Sequence, residues 1–273
     1  MLRVQSVTAN GGAGSLTAVK VADRNTPTVA AVKSDLSDAS SWQPDEPLAA
    51  AKIIALFAAA RRLRTDSNAR AHGNALRGKN LVLLLARPTG REVSPLQLAA
   101  LDLGARVAEI PFDTDASSQL DIGTLARLLG RMYDAIDCDT LPMATVRMVE
   151  REAGVPVYAG LGLDGHPARM IADLLTVAEH GRARNMKTGI TFIGDPCTPR
   201  ASIFLMAARE LGFAPQIAEA EHVASNDAPC VVDATHPSTW SLYAEGRPIE
   251  EASQSANHRY AIQTVLLDTI PRG

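Results

Sequence analysis

The sequence predicts an α/β fold: two open parallel-sheet domains linked by long helices, the second domain truncated. Three observations carry this expectation. Residues 81–85 (LVLLL) form a continuous apolar run of strand length, as a strand covered on both faces of a parallel sheet requires. From about Pro47 onward, strand-length apolar runs alternate with helix-length amphipathic stretches. The chain has 273 residues, 46% hydrophobic and 21% charged, which is enough for two packed domains of ordinary globular balance.

Residues 1–40 read as an N-terminal extension, because Gly11, Gly12 and Gly14 interrupt local structure and apolar residues stay scattered. In the Ala-rich stretch that follows, Ile53, Ile54, Phe57, Ala60 and Leu63 recur at helical spacing, and Pro47 suits a first turn. After the strand at 81–85, Ser94-Pro95-Leu96-Gln97 is a helix-start signature. Ser is the cap, Pro takes the first position, and Gln lies three residues after the cap. That helix runs over 95–103 and ends on Gly104. A strand over 106–110, a helix near 122–129, a strand over 135–137, a helix over 145–153 and a strand over 155–159 continue the alternation. A long amphipathic helix spans 166–180, and the charged link HGRARNMK leads on to a second unit. There the pattern predicts a strand over 188–193, a helix over 202–211 closed by Gly212, and short strands over 216–218 and 230–233. The final helix, 257–270, carries Tyr260, Ile262, Val265, Leu266 and Ile270 on one side. The expected divisions are 1–40, 41–165 and 166–273.

A formal net charge of -3 gives no electrostatic footprint for nucleic acid or an anionic membrane. Cys138, Cys197 and Cys230 are odd in number and widely spaced, which suits a reducing cytoplasm. No early apolar run forms a secretory core, and no stretch approaches the ~20 apolar residues of a membrane span. The expectation is a soluble cytoplasmic protein.

The turn Ala86-Arg87-Pro88-Thr89-Gly90-Arg91-Glu92 joins a strand to a helix, and in an open α/β sheet the carboxyl end of a strand is the preferred place for a ligand. Backbone N–H groups there attract anions, and Thr89 and Arg91 add a hydroxyl and a charged fork. On local grounds alone, most Thr-Gly turns simply reverse the chain. Arg131 alone reads as a surface arginine, and His166 alone as a helix-capping histidine. Asp233 and His236 suit structural use at a strand end better than a metal or acid/base site, so no metal is expected. The run Arg61-Arg62-Leu63-Arg64 reads as a solvated helix face.

Taken together, three segments resemble the aspartate and ornithine carbamoyltransferases: GKNLVLLLARPTGREVSPLQLAALDLGARV, SSQLDIGTLARLLGRMYDAI, and the His166-Pro167 pair opening a long helix. The likeness spans residues 40–215 and 229–270, with a deletion between. It implies transfer of a carbamoyl group from carbamoyl phosphate to an amino-acid amine, ornithine-type and so within arginine metabolism. It also implies a homotrimer and no cofactor. Arg131 and His166 become the catalytic pair that polarises the carbonyl. Thr89, Gly90, Arg91 and Arg169 hold carbamoyl phosphate, Gln119 reaches a neighbouring subunit's site, and Asp195 and Ser202 face the amine substrate.

The chain also departs from the family pattern. Glu92 and Val93 stand where the family carries Thr and Arg. A carboxylate ~5 Å from a phosphate charge costs about 3 kcal/mol per unit charge at an effective dielectric near 20, or roughly a hundredfold in affinity. Arg169 replaces the Gln of His-Pro-x-Gln, Ser202 replaces an Asn, and the loop that closes over ornithine has no copy. VVDATHPSTW is either its remnant or a replacement for a later family loop. A second reading follows: a non-catalytic relative acting as a regulatory or structural subunit. The transferase reading requires Arg91, Arg131 and His166 to converge on one hollow at the sheet's carboxyl edge.

Overall fold

The computed structural model describes residues 49–65, 73–86, 93–112, 121–181, 189–218, 230–236 and 239–271. It opens with α1 (Ala50–Thr65), β1 (Asn80–Leu85), α2 (Pro95–Asp102), β2 (Arg106–Pro111) and α3 (Ile122–Met132). It continues through β3 (Ala135–Asp137), α4 (Met143–Ala153), β4 (Val157–Tyr158) and α5 (Pro167–Gly181). The second half holds β5 (Gly189–Ile193), α6 (Pro199–Glu210), β6 (Ala214–Ala218), β7 (Cys230–Asp233), β8 (Ser241–Ala244), β9 (Arg247–Pro248) and α7 (Glu251–Thr269).

The first sheet has the order β2-β1-β3-β4 and is parallel throughout. Its central strand explains the unbroken apolar run. Leu81, Leu83 and Leu85 enter a core shared with α1, α2, α5 and α7, while Val82 and Leu84 enter a second core with α3 and α4. Successive side chains of a strand point to opposite faces, so a strand with helices on both sides has no polar positions. Gly130 lets α3 and α4 approach: a Cβ there would stand 1.8 Å from the Ala153 carbonyl oxygen.

The second sheet has the order β6-β5-β7-β8-β9. Strands β5, β6 and β7 are parallel, as expected, but β8 pairs antiparallel with β7 and β9 antiparallel with β8. The second sheet thus has a parallel core, as expected of an open α/β sheet, extended at one edge by an antiparallel hairpin. The hairpin turns on Glu245 and Gly246, both at positive φ (53° and 71°), as a two-residue turn matched to strand twist needs.

Helix α7 packs on α1, α2 and α5, and α5 also packs on α6, β7 and β8, so one helical layer serves both sheets. The larger core runs through it from Leu83 to Phe192, Phe204 and Trp240. The Trp240 ring meets Phe192 and Phe204 edge-on, at 5.6 and 5.4 Å between centroids. The expected division at 165/166 falls just ahead of α5. Among the described residues no helix is long and apolar enough to cross a membrane.

Candidate functional site

At the carboxyl edge of the first sheet, β1 ends on Leu85, and the turn bearing Thr89, Gly90 and Arg91 lies outside the described residues, as does Gln119. The neighbouring strand β3 runs out through Asp137, Cys138 and Asp139. Asp137 is buried, and its Oδ1 accepts from the backbone N–H groups of Gly160 and Leu161, both at 3.0 Å. It thereby ties the exit of β3 to the loop after β4. Burial pushes its carboxyl up to about 7, against the pull of those amides. Asp139 sits at φ 34°, and burial raises its carboxyl too. The exit of β3 presents two carboxyl groups.

The loop after β4 reaches His166, which is buried at the start of α5. Its Nδ1 accepts from the Ala168 N–H at 3.1 Å, capping the helix. In the neutral ring the proton then belongs on Nε2. One turn into α5, Arg169 donates through Nε to Asp173 at 3.1 Å and pairs with Asp164 at 3.0 Å. The other oxygen of Asp173 accepts from Arg200, at the start of α6, at 3.0 Å. The Arg200 guanidinium lies 4.1 Å over the Trp240 ring. His258 of α7 completes the group. Burial, then Arg169, His166 and Arg200, push its imidazole down to about 3, so it is neutral at ordinary pH. Burial raises the Asp173 carboxyl, opposed by both arginines. Its buried position forms a cross-brace between α5 and α6.

Arg131 does not join this group. It is an exposed residue in the last turn of α3. Three residues on, the Asp134 N–H donates to the Asn80 carbonyl (2.7 Å) and the Asn80 N–H donates to the Asp134 carboxylate (2.8 Å). That places the end of α3 where β1 begins, at the amino edge. His166 follows the carboxyl edge, and the four strand steps from Asp134 to Cys138 alone span about 13 Å. The expected pairing of Arg131 with His166 on one oxygen is therefore corrected: they stand at opposite edges of the sheet.

Asp195, at the carboxyl end of β5, is exposed and its side chain accepts from the Cys197 N–H at 2.8 Å. Ser202 is exposed on the first turns of α6. Asp233 accepts from the backbone N–H and hydroxyl of Thr235, which agrees with a structural role. Among the described residues no cluster of His, Cys, Asp or Glu suits a metal ion. Sequence reasoning passed over Asp173, Arg200, Trp240 and His258. Only Arg169 and Asp173 carried a signal, being four apart on one helix face.

Residues 45–179 match the family model described as the aspartate/ornithine carbamoyltransferase carbamoyl-P binding domain. The fold resembles a putative aspartate carbamoyltransferase from Trypanosoma cruzi (TM-score 0.58, 18% identity, 90% of this chain and 99% of that one). It also resembles one from Leishmania major Friedlin (TM-score 0.57, 15% identity, 89% and 99%). An ornithine carbamoyltransferase from Gloeobacter violaceus is similar as well (TM-score 0.54, 19% identity, 82% and 96%). Both substrate types stand among these neighbours, so they do not separate ornithine from aspartate. Residues 45–179 thus form a carbamoyl-P binding domain of the aspartate/ornithine carbamoyltransferase type, and the chain as a whole shares the carbamoyltransferase fold.

Proposed function

We propose that this protein is a non-transferring member of the carbamoyltransferase family, acting as a regulatory or structural subunit. One observation carries the reading: the exit of β3 bears Asp137 and Asp139, while Arg131 lies at the far edge from His166. Carbamoyl transfer needs donors aimed at a developing oxyanion, and carboxyl groups at that edge work against one. Arg169 and Arg200 are already engaged by Asp164 and Asp173, so these two arginines have little uncompensated positive charge to offer a phosphate. The sequence adds Glu92 beside Arg91, a further charge of the wrong sign for a dianion.

A second reading keeps transfer to an amine such as ornithine. It is favoured by the position of His166, buried where the loop after β4 enters α5 at the carboxyl edge of the first sheet. Asp195 and Ser202 would then serve the amine. The two readings part in one experiment on the full chain: citrulline formation from ornithine and carbamoylaspartate formation from aspartate, with calorimetry against carbamoyl phosphate. The expected result is no turnover above background and no heat of binding. Saturable turnover lost in Arg91→Ala would refute the proposal. A cytoplasmic homotrimer completes it, supported by the exposed apolar Leu128, Met132 and Met148 on α3 and α4. Light scattering that returns a monomer would remove the trimer.

A further inference from the structure

A cavity of about 240 Å³ opens where the end of α1, the end of α2 and the middle of α7 meet. Helix α2 ends just ahead of β2, so the cavity stands at the amino edge of the first sheet. Its walls are apolar at Leu63 and Leu103, and its rim carries both signs of charge, Asp102 on α2 and Arg259 on α7. Gln263 donates to Asp102 Oδ2 at 3.3 Å, and Arg259 approaches the same oxygen only to 3.6 Å. Both charged side chains are close to half exposed, so their mutual attraction is small and parting them costs little. Tyr260 closes one side, with the Arg64 guanidinium 5.9 Å from its ring centre.

We propose that this cavity binds a free aliphatic amino acid. The ligand's ammonium group would meet Asp102, its carboxylate would meet Arg259, and its side chain would lie on Leu63 and Leu103. Opposite charges facing one apolar hollow fit a zwitterion with a hydrocarbon tail; an anion or a cation alone would satisfy one side and be repelled by the other. The volume accommodates a side chain as large as leucine's together with the charged head. The ligand would bridge α2 to α7, the helix that also packs on α1 and α5, so its binding would stiffen the layer shared by both sheets. This inference does not depend on whether the carboxyl edge transfers carbamoyl groups.

The test is calorimetry and melting-temperature measurement on the full chain with leucine, N-acetylleucine and leucinamide, each to about 10 mM. Leucine should bind saturably, and each blocked form should bind about two- to fivefold more weakly, because each lacks one charged contact with a half-exposed group. Asp102→Asn and Arg259→Gln, an exposed and a half-buried position joined by a weak pair, should weaken leucine by a similar factor and change the melting temperature of the free protein little. Carbamoyl phosphate in excess should not displace leucine. Absence of saturable binding by leucine, isoleucine and valine would overturn the proposal. So would equal binding of N-acetylleucine, or binding undiminished in both variants.

Discussion

Replacing Asp137 by Asn tests the chemistry of the carboxyl edge through its effect on stability. The carboxyl is buried and displaced from 3.8 to about 7, chiefly by loss of water. Between those limits the folded protein holds a proton that the unfolded chain has released. Its contribution is therefore complete below about pH 4, declines as pH rises towards about 7, and is constant above. The displacement corresponds to about 4 kcal/mol, at about 1.4 kcal/mol for each pH unit. His258 acts with the opposite sign. Its imidazole is held neutral down to about 3 in the fold while the unfolded chain takes up a proton near 6.5, so that contribution is lost as pH falls through this range. The two slopes oppose each other in the parent protein, and the informative quantity is the difference between variant and parent.

Asn keeps the oxygen that accepts from Gly160 and Leu161 and cannot ionise. Its amide nitrogen faces the nearby Asp139 N–H less favourably than a carboxyl oxygen does, a cost that does not vary with pH. Urea denaturation at about pH 4.5, 6 and 8 should therefore show the variant gaining on the parent by about 3–4 kcal/mol across the series. The slope decides, whatever the offset. If the two stability profiles run parallel across that range, Asp137 is ionised in the fold and the account of this edge is wrong.

Three further changes have defined outcomes. Gly130→Ala should destabilise by about 1–3 kcal/mol in urea although Ala favours helix, because its methyl group would collide with the Ala153 carbonyl and drive α3 from α4. Trp240→Ala should cost about 3–5 kcal/mol, whereas Trp240→Phe should cost less, because it keeps ring packing on Phe192 and Phe204 and weakens mainly the stack under Arg200. Arg131→Ala should change the unfolding free energy in urea by less than about 0.5 kcal/mol and leave any anion binding unchanged, as expected of an exposed side chain at the amino edge.

Local signals made much of the fold legible. The strands at 135–137 and 230–233 lie where the pattern puts them, and Ser94 caps α2 by accepting from the Gln97 N–H. The hairpin of β8 and β9 escaped because its two strands hold four and two residues, one of them Pro248, too short for a period to register. Arg131 misled for a different reason. Its motif adjoins β3 in sequence, but strand direction decides which edge it occupies: a helix before a parallel strand ends at the amino edge, and only the segment after the strand leaves at the carboxyl edge. That rule needed no coordinates. The Asp173 brace was out of reach, since its parts come from separate segments and only Arg169 and Asp173 share a helix.

The brace also bears on how a ligand could bind at the carboxyl edge. Asp173 is almost wholly buried and holds one arginine from its own helix and one from α6. Withdrawing either arginine to meet a ligand leaves a buried carboxylate half paired, a loss of the order of 3–5 kcal/mol when a partner is removed outright. A ligand that draws on either arginine must offset that loss, whereas a ligand at Asp102 and Arg259 parts only a half-exposed, loosely matched pair. Among the described residues, Arg169 and Arg200 fasten α5 to α6 through Asp173, while Asp102 and Arg259 form a looser pair at the amino edge of the first sheet.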